Sequence, residues 1–141
     1  MQDQPPMLSP GPLLPLRLPA GVDLRAALDA ALRAQGLAAA FVLAGIGSLS
    51  LTRLRLAGAA EPCTLEGDVE LLSLSGSLSP DGSHLHASVA DAAGRVLGGH
   101  VAPGCRVRTT AEILLAPLPD WRFARVPDAA TGYAELQIRP R

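Results

Sequence analysis

The sequence predicts an α+β fold, a single domain built on a largely antiparallel β-sheet of about seven strands with one main helix. Three observations carry that expectation. Short segments of apolar/polar alternation, bounded by turn residues, recur along most of the 141 residues. Only residues 24–35 show clear helical spacing, with at most one further helix to be placed. Strands follow strands without βαβ alternation, which favours an antiparallel sheet with the helix set to one side. The length suits one hydrophobic core and is short for two, and 48% hydrophobic residues argue against disorder.

Met1 to Pro12 is Pro- and Gln-rich and reads as a flexible leader ahead of a domain over 13–138. It lacks the basic and apolar regions of a signal peptide, so a cytoplasmic location is expected. No apolar run approaches the ~20 residues needed to cross a bilayer, so no membrane partner is expected. Leu13 to Leu18, interrupted by Pro15 and closed by Pro19, reads as an edge strand. Asp23 is an N-cap, followed by Leu24, Ala27, Leu28, Ala31 and Leu32 on one helix face. Arg25, Asp29 and Arg33 line the other face, and Gly36 is placed to terminate the helix.

Ala38 to Ala44 is a continuous apolar run, read as a buried strand. It ends in Gly45-Ile46-Gly47-Ser48, a tight turn or a close backbone approach. Without a third glycine and a following helix, that segment is no nucleotide fingerprint. Leu49 to Leu56 alternates with a phase slip at Thr52-Arg53, the mark of a bulge. In Val69 to Ser79 the leucines 72, 74 and 78 share one face and the serines 73, 75 and 77 the other. Glu70 falls on the leucine side, where a carboxylate needs a partner. Val107 to Leu115, Trp121 to Val126 and Tyr133 to Ile138 complete the strands, the last two around a turn at Pro127-Asp128.

The three histidines of the chain are His84, His86 and His100, within one short stretch. Between them Asp91-Ala92-Ala93-Gly94 has Asp at the first turn position and Gly where the backbone needs positive φ. A loop closed by Asp91 and Arg95 sets His86 opposite His100, with His84 diagonal to it on the same face. Three imidazoles converging on one hairpin face suit zinc or another divalent metal, and leave a fourth coordination position for water or substrate. The alternative is three histidines hydrogen-bonded at a subunit interface.

All 12 basic residues are arginines, dispersed from Arg17 to Arg141, and the net charge is −1. A free-standing DNA-binding domain usually concentrates basic charge on one face, so DNA is a disfavoured partner unless an oligomer gathers arginines together. Four aromatic residues are too few for base-stacking platforms. Cys63 and Cys105 lack CxxC spacing and read as free thiols.

Six segments in order resemble the plant and prokaryote conserved (PPC) domain family. They are Arg17-Leu18-Pro19-Ala20-Gly21-Val22-Asp23-Leu24, Gly45-Ile46-Gly47-Ser48, Glu70-Leu71-Leu72-Ser73-Leu74-Ser75-Gly76, His84-Leu85-His86, Gly98-Gly99-His100 and Thr131-Gly132-Tyr133-Ala134-Glu135-Leu136. The resemblance implies an α+β domain that assembles as a homotrimer. Plant members fuse the domain to AT-hook motifs, which is why bacterial members are labelled DNA-binding. The Arg-Gly-Arg-Pro core of such a motif is missing here; Ile138-Arg139-Pro140-Arg141 is not one. The fold is also similar to that of α-acetolactate decarboxylase, a zinc enzyme with a His-x-His pair and a third histidine. By motif position that implies His84, His86 and His100 as metal ligands, without carrying over its substrate or reaction.

Two function classes follow. One is a metal-binding protein with a small-molecule pocket, of lyase or hydrolase type if it is an enzyme. The other is a regulatory, DNA-binding or protein-interaction module without chemistry. For the first, Glu70 is a candidate acid or base if its apolar face raises its pKa. Glu135 is a second candidate, approaching from the last strand. Arg125 and Arg17 are candidates to hold a small anionic ligand, and Gly98-Gly99 lets a backbone or ligand come close to His100.

Overall fold

The computed structural model describes residues 12–141, so most of the expected leader lies outside the described residues. Eight strands and one helix follow in the order β1 (Leu14–Pro19), α1 (Leu24–Ala34), β2 (Ala40–Arg55), β3 (Cys63–Ser79), β4 (Gly82–Ala90), β5 (Val96–Val101), β6 (Arg106–Pro117), β7 (Trp121–Pro127) and β8 (Ala134–Pro140). The α+β class with one helix is as the sequence predicts. Six strands form one sheet in the order β1-β6-β2-β3-β4-β5, all neighbouring pairs antiparallel, and β7 and β8 form a second, two-stranded sheet. Among the described residues no helix is long and apolar enough to cross a membrane.

The helix is defined at both ends by local chemistry. The Asp23 side chain accepts the Ala26 N–H at 2.9 Å, an N-cap. Its second oxygen accepts the Gly104 N–H at 2.6 Å, which ties the helix start to the β5–β6 loop. At the other end the N–H groups of Gly36 and Leu37 donate to the carbonyls of Arg33 and Leu32, with Gly36 at φ +63°, a Schellman terminus. Leu24, Leu28 and Leu32 are buried in the main core with Leu49, Leu54, Leu74, Leu78 and Leu85.

Three sequence expectations need correcting. The strands expected at 38–44 and from 49 are a single strand, β2, and Gly45-Ile46-Gly47-Ser48 is not a turn within it. A Cβ on Gly45 would sit 2.9 Å from both Leu74 Cβ and Ile113 Cδ1, so the glycine serves close packing between β2 and its neighbours β3 and β6. Against β6 the extra residues of β2 fall between Val42 and Ala44 and between Leu49 and Leu51, ahead of the expected Thr52-Arg53. In β3 a register shift between Leu71 and Ser73 inverts the side-chain phase. Val69, Leu71, Leu74 and Leu78 are buried, whereas Leu72 and Glu70 face solvent together.

One closure matters for function. The far end of β2 turns back to pair with β5, Leu54 with Val101 and Arg55 with His100. The second sheet is pinned nearby, since Phe123 on β7 donates its N–H to the Ala38 carbonyl and stacks edge-on against Phe41 at 5.7 Å.

Candidate metal centre

The hairpin β4–β5 forms as its turn residues dictate. Asp91 and Arg95 close the loop through a backbone bond of 3.0 Å, and Gly94, at φ +76°, donates to the Asp91 carbonyl. The register that results pairs His86 with His100. Along β4 the alternation keeps buried Ser83, Leu85 and Ala87 on one face and exposed His84 and His86 on the other. One ring nitrogen from each of His84, His86 and His100 lies within 4.8 Å of the others. The Nε2 atoms of His84 and His86 are 3.1 Å apart, and the ring centroids are separated by 4.9, 5.2 and 5.9 Å.

These donors fit a metal. Two imidazole nitrogens bound to one tetrahedral zinc at ~2.1 Å stand roughly 3.4 Å apart, close to the His84–His86 separation. A ligating imidazole must be neutral. Burial, then the neighbouring Arg125, lowers the His84 pKa from its ordinary value. His100 is pushed down to about 4, by burial first and then by His84 and Arg25. The His100 Nδ1 is buried without a hydrogen-bond partner. Three imidazole nitrogen donors would leave a tetrahedral ion one open position, the pattern of catalytic rather than structural sites.

Four further elements bring charged groups to the histidines. Arg25 on α1 places Nη1 at 3.4 Å from His100 Nε2 and donates to the Val101 carbonyl at 3.0 Å. Arg55 lies across from His100 in the β2–β5 pairing, where Gly99 lets the chains approach: a Cβ there would stand 2.8 Å from the Arg55 carbonyl oxygen. From the second sheet, Arg125 donates from Nη2 to Ser77 Oγ at 2.8 Å, and Ser77 is the cross-strand partner of His84. Glu135, paired with Val126 on the adjoining strand, lines the same cleft.

Of the candidates named from sequence, the structure therefore brings together His84, His86, His100, Arg125 and Glu135. It does not bring in Glu70 or Arg17. Glu70 is exposed, contrary to the expected apolar surroundings, in a groove with Arg108 and Glu112. Arg17 pairs with Glu112 on the edge strand β1 and lines a different groove. Sequence reasoning missed Arg25 and Arg55. Arg25 looks like any polar residue on the outer face of an amphipathic helix, and Arg55 is positioned by a pairing with β5 that no local pattern announces. Both cysteines are free thiols; Cys105 is buried and its Sγ bonds to the Arg53 backbone.

A family model described as the Plants and Prokaryotes Conserved (PCC) domain matches residues 8–119. A curated relative, the bifunctional protein GlmU of Synechococcus sp., is 52% identical over 139 residues, covering 97% of this chain and 22% of its own. The chain thus spans about a fifth of the length of the curated relatives it matches. A hypothetical protein from Salmonella cholerae-suis superposes with a TM-score of 0.88 at 42% identity, covering 92% of this chain and 94% of that one. A metal-containing protein from Archaeoglobus fulgidus has a TM-score of 0.73 at 26% identity, covering 92% and 95%. A protein from Ralstonia eutropha described as a candidate DNA-binding protein has a TM-score of 0.75 at 25% identity, covering 89% and 90%.

Proposed function

This chain belongs to the Plants and Prokaryotes Conserved domain family, and from that premise we propose that it is a metal-binding protein whose His84, His86 and His100 hold a divalent ion at the floor of a small-molecule cleft. The observation that carries this reading is the convergence of three imidazole nitrogens within 4.8 Å on one hairpin face. The metal-containing neighbour from Archaeoglobus fulgidus supports it. Zinc is the ion that the nitrogen donors suit best. The ion supplies Lewis acidity and an acidified water. Glu135 is the carboxylate at the cleft suited to move a proton, and Arg125 is suited to hold an anionic group. We take residues 13–138 as the functional unit, acting in the cytoplasm as a homotrimer. Exposed Leu43, Ile46 and Leu72 support burial of this surface between copies.

The test is metal analysis of protein purified without a histidine tag or added metal, with light scattering for mass. We expect one zinc per chain in a trimer, and its loss from a His84→Ala/His86→Ala variant that remains trimeric. A second reading, a DNA-binding module without chemistry, draws on the description of the Ralstonia eutropha neighbour. Metal-free trimers that retain DNA at physiological salt would establish that reading and overturn the first.

A further inference from the structure

Three arginines line the cleft that holds His84 and His100: Arg25, Arg55 and Arg125. Among the described residues the ion pairs are Arg95–Asp91 and Arg108–Asp68, so none of the three has a carboxylate within ion-pairing distance. Each instead gives a side-chain hydrogen bond to an uncharged oxygen: Arg25 to the Val101 carbonyl, Arg55 to the Ala59 carbonyl and Arg125 to Ser77 Oγ. A guanidinium has five N–H donors, so most of this capacity is unspent. Two carboxylates share the cleft. One Asp81 carboxylate oxygen accepts the Arg125 backbone N–H, and Glu135 is the second acid. Three arginines against two acids leave one excess positive charge before any metal binds.

A divalent ion on the histidines raises that excess to three, with the Arg25 guanidinium in contact with one ligand ring. Like charges gathered in a partly desolvated cleft repel strongly unless an anion is bound among them. We propose that the cleft is an oxyanion site: Arg25 and Arg125, assisted by Arg55, hold a carboxylate or phosphate group whose remaining oxygen reaches the open coordination position of the metal. Both groups present the paired oxygens that a guanidinium fork reads. The cleft, about 460 Å³, suits a small metabolite. Metal and anion reinforce each other, because the anion offsets the repulsion between the ion and the arginines and the ion adds its own attraction for the anion. The bridging contact rests on the metal reading above; the arginine contacts do not.

Calorimetric titration with inorganic phosphate and with malonate, on zinc-loaded and metal-free protein, tests this. Arg25→Gln and Arg125→Gln should each weaken binding roughly tenfold, the loss of one charged hydrogen bond, with bound zinc unchanged after titration. Arg33→Gln, on an exposed helix residue outside the cleft, should change nothing. Zinc should tighten binding by roughly tenfold. Preference between phosphate and malonate identifies which headgroup the site takes. Equal affinity in the wild type and both arginine variants, or no binding in either form, would overturn the oxyanion site while leaving a zinc site standing. Arginine-dependent binding by a protein that takes up no zinc would keep the oxyanion site and remove the metal reading. Affinity indifferent to bound zinc would overturn the bridging contact.

Discussion

The position of His84 depends on a residue with no side chain. Gly76 on β3 pairs with Leu85, at φ +151°, and a Cβ there would collide with the His84 carbonyl oxygen and lie 2.9 Å from Leu85 Cα. Both obstacles are backbone, so neither can rotate away. Gly76→Ala should therefore destabilise the protein by about 2–4 kcal/mol, combining an unfavourable φ with overpacking. It should also weaken zinc binding, since β4 must shift and His84 rides on it. Urea unfolding together with zinc titration checks both effects. A loss below about 0.5 kcal/mol would mean that the strands separate freely and that the glycine is incidental. The sequence showed this glycine only as a position inside the Val69 to Ser79 alternation and the last residue of one family-like segment. Its clash is with a strand eight residues away, and alternation carries no information about such a contact.

Elements closed by nearby residues were the legible ones. Helix α1 ends where Asp23 and Gly36 say it should, and the β4–β5 hairpin has the register its turn implies. Asp91 does much of this work: its carboxylate accepts the N–H groups of Ala93 and Arg95 and pairs with the Arg95 guanidinium at 2.8 Å. The Arg95 backbone N–H first, and then the Arg95 side chain and the Ala93 N–H, hold the Asp91 carboxyl below its ordinary pKa. Its folded pKa is depressed, so its stabilisation is complete above the unfolded value of 3.8 and is lost as pH falls through the folded one. Asp91→Asn should accordingly lower Tm near neutral pH. Its deficit against wild type should shrink as pH drops from 5 to below 3. A constant difference across that range would assign the effect to turn geometry rather than to charge. Bulges were less legible. One unpaired residue near Leu72 reverses the inside-outside phase of β3, and that reversal is why Glu70 reads as buried in sequence and stands exposed in the structure.

At the scale of the whole molecule, the candidate centre is a junction of two sheets and a helix, and that assembly is what sequence could not give. His84, His86 and His100 come from one hairpin, so their convergence follows from local register. Arg25, Arg55 and Arg125 come from three elements remote in sequence, brought in by helix docking, the β2–β5 closure and the seating of the β7–β8 sheet. This division predicts that the metal and its surroundings can be separated by mutation. Phe123 is 3% exposed and stacks edge-on against Phe41, anchoring the small sheet that bears Arg125 and Glu135. Phe123→Leu removes that aromatic pair, worth about 0.5–1.5 kcal/mol beyond its area, and loosens the seat without opening a large cavity. Zinc stoichiometry should stay at the wild-type value, because every proposed ligand is on the other sheet. Phosphate affinity should fall several-fold as Arg125 loses its fixed position over Ser77, with Arg25 keeping the remainder. If zinc and phosphate binding instead fall together, the hairpin does not hold the metal by itself, and the second sheet is part of the metal site.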